Sequence, residues 1–345
     1  MQKLSHIIFN KVFQLAGLLN RLSNSSLLAL TLGIMLLMVL PRFNRNAAIV
    51  ERPMNDARYF VAYVEYFRGL EPSDVIRPAS NWRLGVPFIA AYLPFSPLTS
   101  INIVNIFALT LAVYLLYLSL RALTIAKGYC WLGCWLFLVS FPTFYYTSIG
   151  YVDPGVLPFM ALMVYATVRK HFLFAMLAMI AGALTKETII LMLPFYFISG
   201  VIEKRKYIWL QAAILLFQYV LINWLLRKYA FVSPGEHNPS FWSISAYAVM
   251  SNVMRLNSYM APLLSLGLPS LFFFLYIRYL APPDVLKSVL LRSILFSIPG
   301  FVLVFLLTFI TTYCDGRIIW QAYFLLIPGF INELNRFKPL QAHQS

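Results

Sequence analysis

The chain has 345 residues, of which 61% are hydrophobic and only 11% charged. Soluble domains average about 45–50% apolar and about 25% charged residues, so this chain lacks the polar surface needed to fold in water. The 27 Lys and Arg outnumber the 12 Asp and Glu and leave a net charge of +15. The basic residues sit in short clusters between apolar runs, which argues against a nucleic-acid partner. Hydrophobicity excludes intrinsic disorder, and three cysteines are too few for a disulfide scaffold. The composition predicts an all-α polytopic membrane protein with the lipid bilayer as its partner.

The chain opens with Leu4, Ile8, Val12, Leu15, Leu19 and Leu22 at helical spacing, with Lys3, Asn10, Lys11 and Arg21 off that stripe. Residues 1–25 read as an amphipathic helix lying on the inner leaflet, not as a cleavable signal, since no compact apolar core precedes a small-residue site. A membrane-spanning helix takes about 20 apolar residues. Apolar runs predict ten spans, at 26–41, 98–122, 129–147, 154–168, 172–186, 187–202, 207–226, 258–280, 293–312 and 317–334. The run from Val86 to Phe95 is too short to span and reads as a re-entrant or interfacial segment. The domain division is thus 1–25, a transmembrane catalytic domain at 26–334 that includes a first outer loop at 42–85, and a short tail at 335–345. Ten crossings place both termini on one side. The Lys/Arg bias of the short loops, clearest at Arg169-Lys170 and Lys204-Arg205-Lys206, assigns that side to the cytoplasm. A multi-pass protein of a bacterial inner membrane is the expectation.

On this topology nine of the twelve acids face outward: Glu51, Asp56, Glu65, Glu71, Asp74, Asp153, Glu187, Glu236 and Asp315. Asp56, Asp153, Glu187 and Asp315 fall at or near helix ends in four separate parts of the chain. A central acid costs at least ~2.5 kcal/mol, but at helix ends the cost falls; it is the convergence of the four on one face that predicts a polar chamber open to the outside. In the first outer loop, Phe60, Val64 and Phe67 form one helical stripe flanked by Tyr59, Tyr63 and Tyr66. This is an expected interfacial helix with Asn55 as N-cap and Gly69 as its stop. Asp56 then has two readings: a first-turn acid that offsets the helix dipole, or a general base that takes the proton of an acceptor hydroxyl.

Four short elements resemble the GT-C glycosyltransferases, polytopic enzymes that take sugar from a polyprenyl-phosphate carrier. They are Asp56-x-x-Tyr59 on the outer amphipathic helix, Trp82-Arg83-Leu84-Gly85-Val86-Pro87-Phe88 before the next membrane segment, Leu184-Thr185-Lys186-Glu187-Thr188, and Asp315-Gly316-Arg317 before the last helix. The similarity is to the bacterial group of aminoarabinose transferases and protein mannosyltransferases. Many members carry two adjacent acids in the first loop, where this chain has Asn55-Asp56.

The resemblance implies transfer from a polyprenyl-phosphate-linked sugar donor to a glycan, lipid or protein acceptor on the periplasmic face, usually with inversion. Asp56 is the expected base and Asp153 the second catalytic candidate. A leaving phosphate calls for cations, and Lys186, Arg317, Arg83 and Arg58 are the candidates. Tyr59, Glu187, Asp315 and Trp82 are supporting residues. Blander readings stand beside these: Lys186 paired with Glu187, Arg317 paired with Asp315, Asp153 as a helix-start residue ahead of Pro154, and Trp82 and Tyr146 in an aromatic belt.

The four histidines are scattered, and no HExxH or Cys/His ligand spacing occurs. No metal ligand set is therefore assigned; Glu236-His237 is the one pair that would assist a divalent ion at Asp56. Walker A and Rossmann fingerprints are absent, which fits a donor already attached to lipid. Cys130 and Cys134 read as packing residues, and Asn102 and Asn105 as interhelical hydrogen-bond partners. Three alternatives stay open at this level: a lipid-linked sugar transporter or flippase, an O-antigen-type polymerase or ligase, and a non-catalytic membrane subunit.

Overall fold

The computed structural model describes residues 2–43, 56–72, 83–229, 246–279, 288–311 and 316–341, and these are all-helical, with no strand among them. In chain order the helices are α1 (Gln2–Arg21), α2 (Asn24–Val39, extended by a 3₁₀ turn Leu40–Arg42), α3 (Ala57–Phe67), α4 (Gly85–Ala91) and α5 (Pro97–Ala122). Next come α6 (Lys127–Leu138), α7 (Phe141–Tyr146), α8 (Asp153–Arg169) and α9 (Phe172–Thr185). A 3₁₀ turn (Glu187–Met192) leads into α10 (Leu193–Ile202), followed by α11 (Ile208–Tyr229), α12 (Ala246–Met254), α13 (Asn257–Tyr279), α14 (Val289–Thr311) and α15 (Arg317–Gln341).

Among the described residues five helices are long and apolar enough to cross a membrane: Asn24–Arg42, Pro97–Ala122, Ile208–Leu226, Asn257–Tyr279 and Val289–Ile310. Large apolar side chains on them point away from the bundle, including Leu28, Leu37, Phe107, Phe217, Trp224, Phe296 and Leu303. In water such a belt would drive aggregation; against acyl chains it is the proper surface. Two further helices, Phe172–Thr185 and Glu187–Ile202, are apolar but shorter.

The ten expected spans are thus not all long, continuous helices. The run 129–147 divides at Val139–Ser140, because Pro142 starts a new helix and lacks the N–H that would continue the old one. The run 187–202 begins as a 3₁₀ turn ahead of Pro194. Within α13, Gly267 takes φ +52° beside Pro269, and the Tyr323 hydroxyl reaches the carbonyls of Ser265 and Leu266 at this kink. Helix α12 falls in a segment expected to be loop.

The N-terminal helix buries only part of the stripe its leucines predict. Phe9, Ala16 and Leu19 are buried, whereas Leu15 and Leu22 are exposed. Phe9 inserts among Phe272, Tyr276 and Phe330, with ring centroids 6.1–6.3 Å away. Asn20 Oδ1 accepts from the Gly128 N–H at 2.6 Å, and a Cβ on Gly128 would lie 2.1 Å from the Ala16 carbonyl. A close helix crossing therefore selects the small residues of α1 and leaves several of its leucines outside.

Two packing units place the chemistry. Helices α5 and α8 form one continuous contact through Leu109, Val113, Leu116 and Leu120 against Val156, Met160, Met163 and Val164, all in the main core. Helix α15 runs beside them with Trp320, Tyr323, Phe324, Ile327 and Ile331 buried, and Phe137 of α6 packs on Trp320 and Phe324. Both α8 and α15 begin at the same end of the bundle, and α9 finishes there.

Candidate active site

Three chain segments meet where α4 and α8 start and α9 ends, and the sequence permits this because two positions are glycine. A Cβ on Gly155 would stand 2.2 Å from Val86 Cγ2 and 2.8 Å from Thr185 Cγ2. A Cβ on Gly85 would stand 2.8 Å from Thr185 Oγ1. These approaches bring Arg83, Asp153, Lys186 and Glu187 into one cluster although they are up to a hundred residues apart.

Asp153 lies at the first turn of α8 and is fully buried. Lys186 Nζ pairs with its Oδ1, and Arg317 Nη1 lies 3.4 Å from its Oδ2. The second amino group of Arg317 lies 3.5 Å from Asp56 Oδ2, so one guanidinium bridges a buried and a half-exposed carboxylate. Arg317 also stacks on the Tyr151 ring, 4.5 Å from its centroid. Arg83 and Glu187 form a two-pronged pair at 3.0 and 2.6 Å. Burial works against the charge on Arg83, but the Glu187 carboxylate outweighs it, helped by Asp153 and Asp56, and holds the guanidinium pKa above its ordinary value.

Among the described residues the ion pairs of the cluster join three carboxylates and three cations, which balance. Exposure separates its members. The side chain of Asp56 is 44% exposed, against 16% for Arg317, 5% for Lys186 and 0% for Asp153. Asp56 is the most open member of the cluster, and Arg317, Arg83 and Glu187 are each partly open.

Residues outside the charge cluster hold its backbone. Asn105 Nδ2 donates to the carbonyls of Thr147 and Tyr151 at 3.1 and 2.6 Å, and Asn102 Oδ1 accepts from the Gly150 N–H at 3.0 Å. These two asparagines of α5, three apart and therefore on one face, fasten the segment that leads into Asp153. Arg68 binds the carbonyls of Ala90, Ala91 and Leu93, closing the open end of α4 and clamping it to α3. Tyr146 is buried between Tyr151 and Trp320, and its hydroxyl accepts from the Gly316 N–H at 3.3 Å, just ahead of Arg317.

Of the residues expected from sequence, Asp56, Asp153, Arg83, Lys186, Glu187 and Arg317 come together. Arg58 turns to its neighbour instead, donating to the Tyr59 hydroxyl at 2.6 Å and lying over that ring. The partners differ from the sequence-adjacent ones: Lys186 pairs with Asp153, and Glu187 with Arg83. Asp56 is itself the N-cap residue of α3, and its carboxylate makes no capping bond there. Its carboxylate still lies at the N-terminal end of the helix, where a negative charge offsets the dipole, and it also reaches Arg317 at 3.5 Å. Asp153, expected as a second catalytic acid, is sealed from solvent between Lys186 and Arg317. Tyr146 is a core residue and not part of an aromatic belt. Asn55, Trp82, Asp315 and Glu236-His237 lie outside the described residues.

Arg68, Asn102, Asn105 and Tyr151 were not singled out as site residues. The Asn102-x-x-Asn105 spacing was the one visible signal, since two amides on one helix face need a common partner. Among the described residues no group of three or more His, Cys, Asp or Glu is placed to hold a metal ion. Compared with protein families, curated proteins and solved structures, the chain matches none.

Proposed function

We propose that this protein is a membrane glycosyltransferase of the GT-C type. It moves a sugar from a polyprenyl-phosphate carrier to a glycan, lipid or protein acceptor at the face where Asp56 opens. The observation that supports this most is the Arg317 guanidinium held between exposed Asp56 and buried Asp153. Asp153, itself held by Lys186, anchors Arg317, and Asp56 occupies the side that a phosphate would take. Because these ion pairs balance, an anionic donor gains a cation only by displacing Asp56 from Arg317. That displacement frees the Asp56 carboxylate beside the bound sugar, where a base is needed.

In this reading the acceptor O–H gives its proton to Asp56 as its oxygen bonds to the anomeric carbon. The bond from that carbon to the carrier phosphate oxygen breaks, and the phosphate leaves with the electron pair toward Arg317. Asp153 is a positioning residue here, not the catalytic one expected from sequence. Arg83 with Glu187 fixes the wall of the chamber, and Tyr59 orients Arg58 beside it. The topology that goes with this function has ten membrane segments, several of them short or broken, and both termini in the cytoplasm. It sets the site on the periplasmic face of a bacterial inner membrane.

The test is sugar transfer by the purified chain in proteoliposomes, with a radiolabelled sugar on polyprenyl phosphate beside the same sugar on a nucleotide. Transfer from the lipid donor alone is expected. Passage of the intact lipid-linked sugar across the bilayer without transfer would replace the enzyme by a flippase.

A further inference from the structure

The end of the bundle away from the charge cluster holds a second polar feature. A cavity of about 280 Å³ opens between the C-terminal ends of α5, α8 and α10, the first turn of α14 and the late part of α15. Asp153 and Thr167 are fourteen positions apart on α8, which at 1.5 Å per residue separates the two sites by roughly 20 Å.

Arg205 lines this cavity with its side chain 10% exposed. Its Nη2 donates to the Thr167 carbonyl at 2.6 Å, and its Nε to Glu203 Oε2 at 2.7 Å. The remaining amino group, Nη1, is buried without a hydrogen-bond partner. Ser199, also lining the cavity and 3% exposed, has a hydroxyl in the same condition. Buried donors left unpaired cost about 1–3 kcal/mol each, more for charged ones, so a fold seldom keeps two in one cavity unless something binds them.

The missing partner must be an acceptor. Ser288 and Val289 place the start of α14 on the cavity wall; Ser288 Oγ accepts from the Leu291 N–H at 3.4 Å, and the helix dipole with the N–H groups of Val289 and Leu290 favours an anion there. Glu203 is already countered by Arg205 and by Lys170 at 3.3 Å, and Glu333 by Arg336 at 3.3 Å. Of the residues that line the cavity, two are cations, Arg205 and Arg336, and one is a carboxylate, Glu203, which leaves the wall positive.

We infer that this cavity is a binding site for a phosphate group, taken by Arg205 Nη1, Ser199 and the first turn of α14. Its size is at the lower end of ligand cavities, about 300–1,000 Å³, and suits a headgroup, not acyl chains. Its lining residues Val168 and Arg205 adjoin the basic stretches Arg169-Lys170 and Lys204-Arg205-Lys206, the composition of a cytoplasmic-leaflet surface. Anionic phospholipid and free phosphate share the required chemistry.

Native mass spectrometry of the full chain from nanodiscs containing phosphatidylglycerol, beside nanodiscs of digalactosyldiacylglycerol, a lipid without phosphate, distinguishes the sources, with thermal melting in inorganic phosphate as a third arm. Retained phosphatidylglycerol is expected. Arg205→Gln lowers its occupancy about tenfold, and Ser199→Ala lowers it about threefold without loss of fold, since that hydroxyl bonds nothing in the free protein. Stabilisation by inorganic phosphate, lost in Ser199→Ala, supports the site with a soluble ligand. Equal retention of both lipids with no effect of phosphate overturns it. So does anion binding that Ser199→Ala leaves unchanged in a chain where Arg205→Gln fails to fold.

Discussion

Replacing Asp153 by Asn preserves its shape and removes one charge from a closed site. The carboxylate is fully buried, and its nearest cation, Lys186, is 5% exposed. Removing one partner of such a pair strands the other charge, at a cost of about 3–5 kcal/mol. That is a large share of the roughly 5–15 kcal/mol that holds a folded domain together. Lys186→Met strands the carboxylate instead and carries a comparable cost, partly relieved because Arg317 still reaches it at 3.4 Å. The double variant Asp153→Asn/Lys186→Met leaves neither charge stranded, while Arg317 keeps Asp56. Its destabilisation is expected to fall short of the summed single effects by at least about 1.5 kcal/mol. The assay is unfolding of the detergent-purified chain by denaturant titration, with size-exclusion as a check on folding. Single effects that add within about 0.5 kcal/mol would refute a buried, mutually dependent pair.

Three further outcomes follow from the same geometry. Asp56→Asn frees Arg317 from a half-exposed partner at 3.5 Å, worth about 1 kcal/mol after solvent screening. Polyprenyl phosphate should therefore bind the variant about fivefold more tightly, measured by titration in nanodiscs; weaker binding would contradict competition between Asp56 and the donor. Gly155→Ala drives a methyl against Val86 and Thr185 and should destabilise by about 1–3 kcal/mol, with Val86→Ala restoring much of it in melting experiments. Asn105→Ala leaves the Thr147 and Tyr151 carbonyls without their donor, and a loss of about 1–3 kcal/mol is expected. Its footprint in hydrogen exchange should centre on 147–153.

Helix-scale features were readable in the sequence because they depend on local chemistry. Pro154 stands in the first turn of α8, as its missing N–H allows. Gly69 takes φ +72° just past α3, where the chain was expected to turn. Charge pairing was less legible. Lys186 and Glu187 are neighbours in sequence, but consecutive residues leave the backbone in different directions. Each therefore finds its partner on another segment, at Asp153 and Arg83. The burial of α1 also escaped, because a stripe of leucines marks the largest apolar residues. A close helix crossing instead selects small ones such as Ala16 opposite Gly128. The gathering of Asp56, Asp153 and Glu187 was visible in outline, since each lies at a helix end on one expected face; Asp315, the fourth acid of that set, lies outside the described residues. The exposure difference between Asp56 and Asp153 depends on tertiary packing and was not.

The central claim rests on Asp56, and the most direct measurement is the rate of sugar transfer from polyprenyl phosphate in proteoliposomes for the wild type and Asp56→Asn at matched amounts of folded protein. A general base contributes about 10²–10⁴-fold. The account predicts transfer by the wild type and a fall of at least a hundredfold in the variant, with the lipid donor still bound. Wild-type transfer that survives in Asp56→Asn within a few-fold would contradict it.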